Sequence, residues 1–322
     1  MARSSYLYIF LTFAIATSQA AFCQSPADEA SHDFEVLPDG NILDRAPSAE
    51  ELAKFVAKSR TNFVRFEAGT FDMGDWGPEI NEGGLPFDGF DSKPLHKVHL
   101  DAFSISKYPI TYAEFDLFTA SLRLARINQE DVLESFRKPN NPAGVTWQGA
   151  HDYCKWLGKL TELSLDLPTE AQWEYAARSG GKRLLYATDN GKYEPGRNLP
   201  SYQRGMDSGG LLPVDSFPPN PAGIYYMGAG VHEWTNDWYD KDYYARSPTR
   251  NPKGPETGTT RVVRGENGAG EREFTFKRWD EASKDETGTW TMYSRERGKP
   301  NRKIPFTLYS YSTNTAFRCA VN

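Results

Sequence analysis

At 322 residues, with 43 acidic against 37 basic side chains and three cysteines, the chain is long enough to bury a large core without metals or many disulfides. Its net charge of -6 excludes wrapping nucleic acid, which needs a basic face. Trp, Tyr and Phe make up 14% of it, and such side chains hold up folds poor in regular elements.

Arg3 is the only charge ahead of an apolar run at residues 6–16, and Ser18-Gln19-Ala20 offers small residues where a signal peptidase cuts. Residues 1–20 are therefore expected to be a signal peptide, and the protein to be exported, periplasmic or secreted. The run is shorter than the roughly 20 residues that span a bilayer, and no later stretch is apolar enough to do so, so no membrane span is expected. A lipid anchor on Cys23 is disfavoured by the bulky Phe22 before it. Exported compartments favour disulfides. Cys23 lies beside the cleavage site, which leaves Cys154 and Cys319 as the natural pair; two buried free thiols are the alternative. A bridge closing so long a loop would contribute about 4–5 kcal/mol in the chain-entropy model.

Residues 21–60 read as a linker and a short N-terminal helix. Ser48-Ala49-Glu50-Glu51 makes a capping box, followed by Leu52, Phe55 and Val56 at helical spacing. Residues 63–73 read as a strand pair turning near Ala68-Gly69, residues 75–93 as a Gly-, Pro- and Asp-rich loop, and residues 97–106 as one further strand. Thr111-Tyr112-Ala113-Glu114 is a second capping box, with Phe115, Phe118 and Leu122 on one helix face. Residues 123–141 read as irregular. Thr146 caps a helix in which Ala150, Tyr153, Cys154 and Leu157 share a face, and Thr169 to Gln172 has a third capping pattern. Beyond Arg178, loops and short strands are punctuated by Gly and Pro, with no internal repeat.

Several segments match one family in order. They are Phe66-Glu67-Ala68-Gly69-Thr70-Phe71-Asp72-Met73-Gly74, Phe103-Ser104-Ile105-Ser106-Lys107-Tyr108-Pro109-Ile110-Thr111, and Val145-Thr146-Trp147 with Tyr153-Cys154-Lys155-Trp156-Leu157. Leu167-Pro168-Thr169-Glu170-Ala171-Gln172-Trp173-Glu174-Tyr175-Ala176-Ala177-Arg178 is the most specific. Pro213-Val214-Asp215-Ser216, Glu233-Trp234, Arg264-Gly265 and Ala316-Phe317-Arg318-Cys319 complete the series. The chain resembles the formylglycine-generating enzymes, or sulfatase-modifying factors, over residues 61–322. The resemblance implies an α+β fold, a C-type-lectin-like variant with little regular secondary structure. It also implies the Cys154–Cys319 pairing already reached from compartment and count.

In sulfatase-modifying members two cysteines between the Arg-Gly motif and the final Phe-Arg bind copper(I) and activate oxygen. Copper(I) takes soft thiolate ligands. Residues 264–317 contain no cysteine, so copper is not expected and neither is formylglycine formation by that route. The family's Gly-Asn-Val-Trp-Glu-Trp block reads Ala229-Gly230-Val231-His232-Glu233-Trp234. Residues 268–303 are longer and more charged than the family core needs, the pattern of a solvated face or, in a binding protein, of a recognition surface. The resemblance also implies structural calcium. Asn198 and Asp207 fall near the first family site and supply hard oxygens. Glu233 matches a ligand of the second, where Gly230 replaces the asparagine that would join it.

His232, Glu233 and Arg295 are the catalytic candidates, since a His–Glu neighbour pair can do acid–base work; the bland alternative is a histidine that fills space and bonds a carbonyl. His96 and His99 look like a chelating pair, but a strand puts residues three apart on opposite faces. No Gly-x-Ser-x-Gly elbow occurs. Whether the protein is an enzyme stays open. One reading is a noncanonical oxidative maturation enzyme, as in exported relatives that mature the pyoverdine chromophore without the copper cysteines. Another is a catalytically inactive periplasmic binding module, for example an immunity protein against a secreted antibacterial toxin, and a third is an accessory envelope protein. The partner would then be a toxin or a maturation substrate.

Overall fold

The computed structural model describes residues 45–80, 91–129, 133, 136–201, 211–228, 230–265, 274–282, 309 and 314–321, and the backbone of 289–292 and 302–305. Cys23, Asp207, Arg295 and the expected signal peptide lie outside the described residues. In chain order the elements are α1 (Ala49–Arg60), β1 (Phe63–Phe66), β2 (Gly69–Met73), α2 (Gly77–Ile80), β3 (His96–Leu100), β4 (Phe103–Ser106), α3 (Tyr112–Ser121), α4 (Trp147–Thr161), β5 (Leu165–Asp166) and α5 (Glu170–Ala177). They continue with β6 (His232–Trp238), β7 (Thr260–Gly265), β8 (Trp279–Ala282), β9 (Thr289–Met292), β10 (Arg302–Pro305), β11 (Thr315–Ala316) and β12 (Ala320–Val321).

Local chemistry starts the main helices. Ser48, Thr111 and Thr169 each accept the N–H three residues on, while Glu51, Glu114 and Gln172 reach back to the cap N–H. Thr146 accepts from Gly149 N at 3.1 Å. Each cap is worth about 1 kcal/mol. The α4 helix ends on Glu162 in the left-handed region, and it turns tightly enough onto β5 that a Cβ on Gly158 would lie 2.8 Å from the Leu163 carbonyl oxygen.

Strand pairing departs from the sequence expectation. Strands form on either side of the break at 67–68, yet they do not pair with each other. β1 joins β4 and β2 joins β3, all antiparallel. The single strand expected at 97–106 is two, broken at Asp101-Ala102, because its halves serve different sheets. The four-stranded sheets run β1-β4-β12-β5 and β11-β6-β7-β8, with only the β11–β6 pair parallel in them. The mix of helices and small sheets is the α+β class.

The largest cluster packs α3 on α4 and on the C-terminal strands. Phe115, Phe118, Tyr153 and Phe317 meet with ring centroids 5.2–5.8 Å apart for Phe115–Phe118, Phe115–Tyr153, Phe118–Tyr153 and Tyr153–Phe317. Each such ring contributes about 1.5–3 kcal/mol by burial. Cys154 of α4 and Cys319, just before β12, form a disulfide across this cluster, with Cα atoms 5.6 Å apart. No helix among the described residues is long and apolar enough to cross a membrane.

Candidate functional site

All eight residues of α5 are buried, including Glu170 and Glu174. Two carboxylates four apart lie on one helix face, and a buried charge persists only when paired. Three arginines answer them. Arg264 of β7 reaches Glu170 Oε1 at 2.8 Å and Glu174 Oε2 at 2.9 Å. Arg278, just before β8, grips both Glu170 oxygens at 2.7 and 3.0 Å, and Arg178 takes Glu174 Oε1 at 2.9 Å. The Tyr244 hydroxyl and the Gly74 N–H fill further lone pairs. Burial alone would raise the Glu170 carboxyl; the charges of Arg278 and Arg264 outweigh it and hold it below the usual carboxylate range. Asp237 of β6 accepts the Glu170 N–H at 2.9 Å. Burial, then the negative Glu170 beside it, pushes the Asp237 carboxyl up to about 8.

Glu233 sits in a second closed pair. Arg318 donates to both of its oxygens at 2.6 Å, and Trp173 Nε1 donates to one at 2.8 Å. Arg318 also bonds the Ser106 and Tyr225 carbonyls. The Glu233 carboxylate is thus held by a guanidinium and an indole, in a frame that positions β6 against α5.

His232, one residue earlier on β6, has a different set of partners. Its Nδ1 lies 2.8 Å from Glu281 Oε1 of β8. The Thr315 hydroxyl of β11 lies 2.8 Å from Glu281 Oε2. The imidazole tilts against Trp279 at 5.7 Å, and its buried Nε2 has no hydrogen-bond partner among the described residues. The sequence neighbours His232 and Glu233 therefore belong to two separate constellations. Glu281, which holds His232, Thr315, which holds Glu281, and Arg318, which holds Glu233, carry no local signal that pairs them. Part of the stretch read as a solvated face is core: Phe276 is fully buried and Arg278 is 3% exposed.

Asn198 lies in the loop after α5. Its Oδ1 accepts the Glu194 N–H at 3.0 Å, while its Nδ2 faces oxygens of Asp189, Asn190 and Lys192 at 3.1–3.2 Å. Arg197 pairs with Asp189 and Glu194 on the same loop. Among the described residues no three His, Cys, Asp or Glu side chains group as metal ligands. His96 and His99 do not converge: the first bonds the Pro94 carbonyl and the second Thr70. A copper–thiolate pair does not fit the donor set. Residues 264–317 lack cysteine, and the two cysteines of the described residues are joined to each other.

Comparison with known proteins agrees with this frame. The family model described as a sulfatase-modifying factor enzyme 1-like domain matches residues 48–292. The formylglycine-generating enzyme of Streptomyces coelicolor is 32% identical over 272 residues, covering 68% of this chain and 82% of that protein. A Chlamydia pneumoniae protein named serine/threonine-protein kinase pkn1 is 35% identical over 244 residues, 70% of this chain but only 36% of its own length. The structure of PvdO from Pseudomonas aeruginosa shares the fold, with a TM-score of 0.61 and 24% identity over 80% of this chain and 93% of that one. The chain belongs to the formylglycine-generating enzyme, or sulfatase-modifying factor, family.

Proposed function

We propose that this protein is an exported family member that does not make formylglycine by copper–thiolate chemistry and works instead as a binding module for a protein partner. The observation that carries the proposal is the donor set. No cysteine stands between Arg264 and Phe317, and the carboxylates at the centre of the scaffold are closed into ion pairs with Arg178, Arg264, Arg278 and Arg318. A scaffold so locked supports a rigid frame that presents loops, and loops are where binding evolves. A secreted antibacterial toxin neutralised in the periplasm is the kind of partner that export and this frame would suit. Structural calcium belongs to the same proposal, with Asn198 and its oxygen-rich loop as the place to look for it.

One observation favours the second reading, a noncanonical oxidative maturation enzyme. His232 is oriented by Glu281 through Nδ1, and among the described residues its Nε2 is unpartnered, the arrangement of an oriented base.

Affinity capture from the native envelope fraction, with bound metals of the same sample read by mass spectrometry, separates the two. A stoichiometric protein partner with calcium as the one metal supports the binding module. Bound iron or copper without a partner supports the enzyme.

A further inference from the structure

A cleft of about 280 Å³ lies between the β3–β4 turn, the β5–α5 connection, β6 and the loop at 251–253. We propose that it binds a small, neutral, polyhydroxyl molecule, a single sugar unit or polyol. Leu100, Leu167 and Pro252 are buried and give it an apolar floor, while Asp101, Asp166 and Asn236 are among its polar groups.

Asn236 is the central observation. Its backbone is fixed at both ends, the N–H on the Pro168 carbonyl at 2.9 Å and the carbonyl on Arg261 at 2.7 Å. Arg261 is itself clamped between Trp147 and Trp238, at 3.8 and 3.4 Å from their ring centres. The β6–β7 register slips between Trp234 and Trp238, so Asn236 stands in an irregularity of the strand. Bulges of this kind re-aim a side chain beside a site. Among the described residues the half-buried Asn236 amide makes no hydrogen bond, although it lines the cleft and carries two donors and an acceptor.

Charge then selects the ligand. Asp101 is answered by Arg250 and Asn251, and Asp166 by Lys155, so each carboxylate already has its cation on this chain. That removes the attraction for a bound cation and leaves oxygen lone pairs free to accept from hydroxyls. An anionic ligand would meet both carboxylates; among the described residues Lys253, at the rim and exposed, is the one lining cation. An amide that donates and accepts, two neutralised carboxylates and an apolar floor together match hydroxyl groups carried on a C–H face. The volume lies just below the usual ligand-site range of roughly 300–1,000 Å³, so one small molecule fits and a polymer enters by its end.

Saturation-transfer NMR on the full purified protein tests this, with glycerol, glucose, galactose, mannose and N-acetylglucosamine as free probes and their methyl glycosides as mimics of a glycan end. At least one probe is expected to receive saturation at millimolar concentration. Asn236→Ala should weaken it about tenfold or more, and Lys253→Ala should leave it within about twofold. Preference for a methyl glycoside over the free sugar would assign the cleft to a glycan end, and the reverse to a free metabolite. Ala102→Trp, at an exposed turn on the rim, blocks the mouth without entering the core and serves if Asn236→Ala melts early. Silence from every probe, or binding indifferent to both Asn236→Ala and Ala102→Trp, overturns the proposal. So does a ligand lost with Lys253→Ala or with added salt, because it would be an anion.

Discussion

Asp237 offers a quantitative check on the buried frame. It is 2% exposed, its pKa is raised from 3.8 to about 8 by burial and by the charge on Glu170, and it accepts the Glu170 N–H. Between those values the folded protein holds a proton that the unfolded chain has released. Stability from this group is therefore full below about pH 4 and falls as pH rises towards 8. The window is about four pH units wide at ~1.4 kcal/mol each, an upper bound of roughly 6 kcal/mol. Asp237→Asn keeps an oxygen for the Glu170 N–H and removes the titration. Its new NH2 group costs about 1–3 kcal/mol at every pH if it finds no acceptor. The variant should therefore melt below the parent at pH 5, gain on it up to about pH 8 and hold that gain to pH 9. At about 2–4 °C per kcal/mol for a domain of roughly this size, the change in the gap is readily measured by thermal melts at four or five pH values. Two curves that stay parallel from pH 5 to pH 9 would refute the reasoning.

Other perturbations probe the remaining links. Replacing Cys154 and Cys319 together by Ser opens a loop with a sequence separation of 165 and should lower stability by up to about 4–5 kcal/mol, seen as a lower melting temperature that reducing agent no longer changes. Glu233→Ala strands the Arg318 charge in the core and should cost about 3–5 kcal/mol in urea unfolding; adding Arg318→Met should recover much of that loss. His232→Phe removes the bond to Glu281 while Thr315 still holds the carboxylate, so a loss of about 1–3 kcal/mol is expected in the same assay, with capture of a protein partner unchanged.

How far the sequence could be read depends on whether the partners are local. The capping boxes at Ser48, Thr111 and Thr169 were legible because donor and acceptor lie three residues apart. The helix face of Ala150, Tyr153, Cys154 and Leu157 was legible for the same reason, as periodicity. Pairings of strands were not. Residues 63–66 meet 103–106, across an intervening ribbon of β2 and β3, and no local pattern encodes that choice. The candidate site failed in a similar way. His232 and Glu233 look like a pair when written side by side, but they bond different partners, Glu281 49 residues away and Arg318 85 residues away. Arg278 sat in a charged stretch that resembles a solvated loop, and its burial is explained by distant partners: Glu170, 108 residues away, and the Asp91 and Asp240 carbonyls.

The most direct test of the central claim is chemical. The purified protein, supplied with copper(I), oxygen and a cysteine-containing sulfatase peptide, is followed by mass spectrometry of the peptide, alongside an active family enzyme. Without a thiolate pair to hold copper(I), the peptide cysteine should remain a thiol throughout. Repeated turnover to the aldehyde by this protein would contradict the account and place a copper-binding or oxygen-activating site elsewhere in the chain.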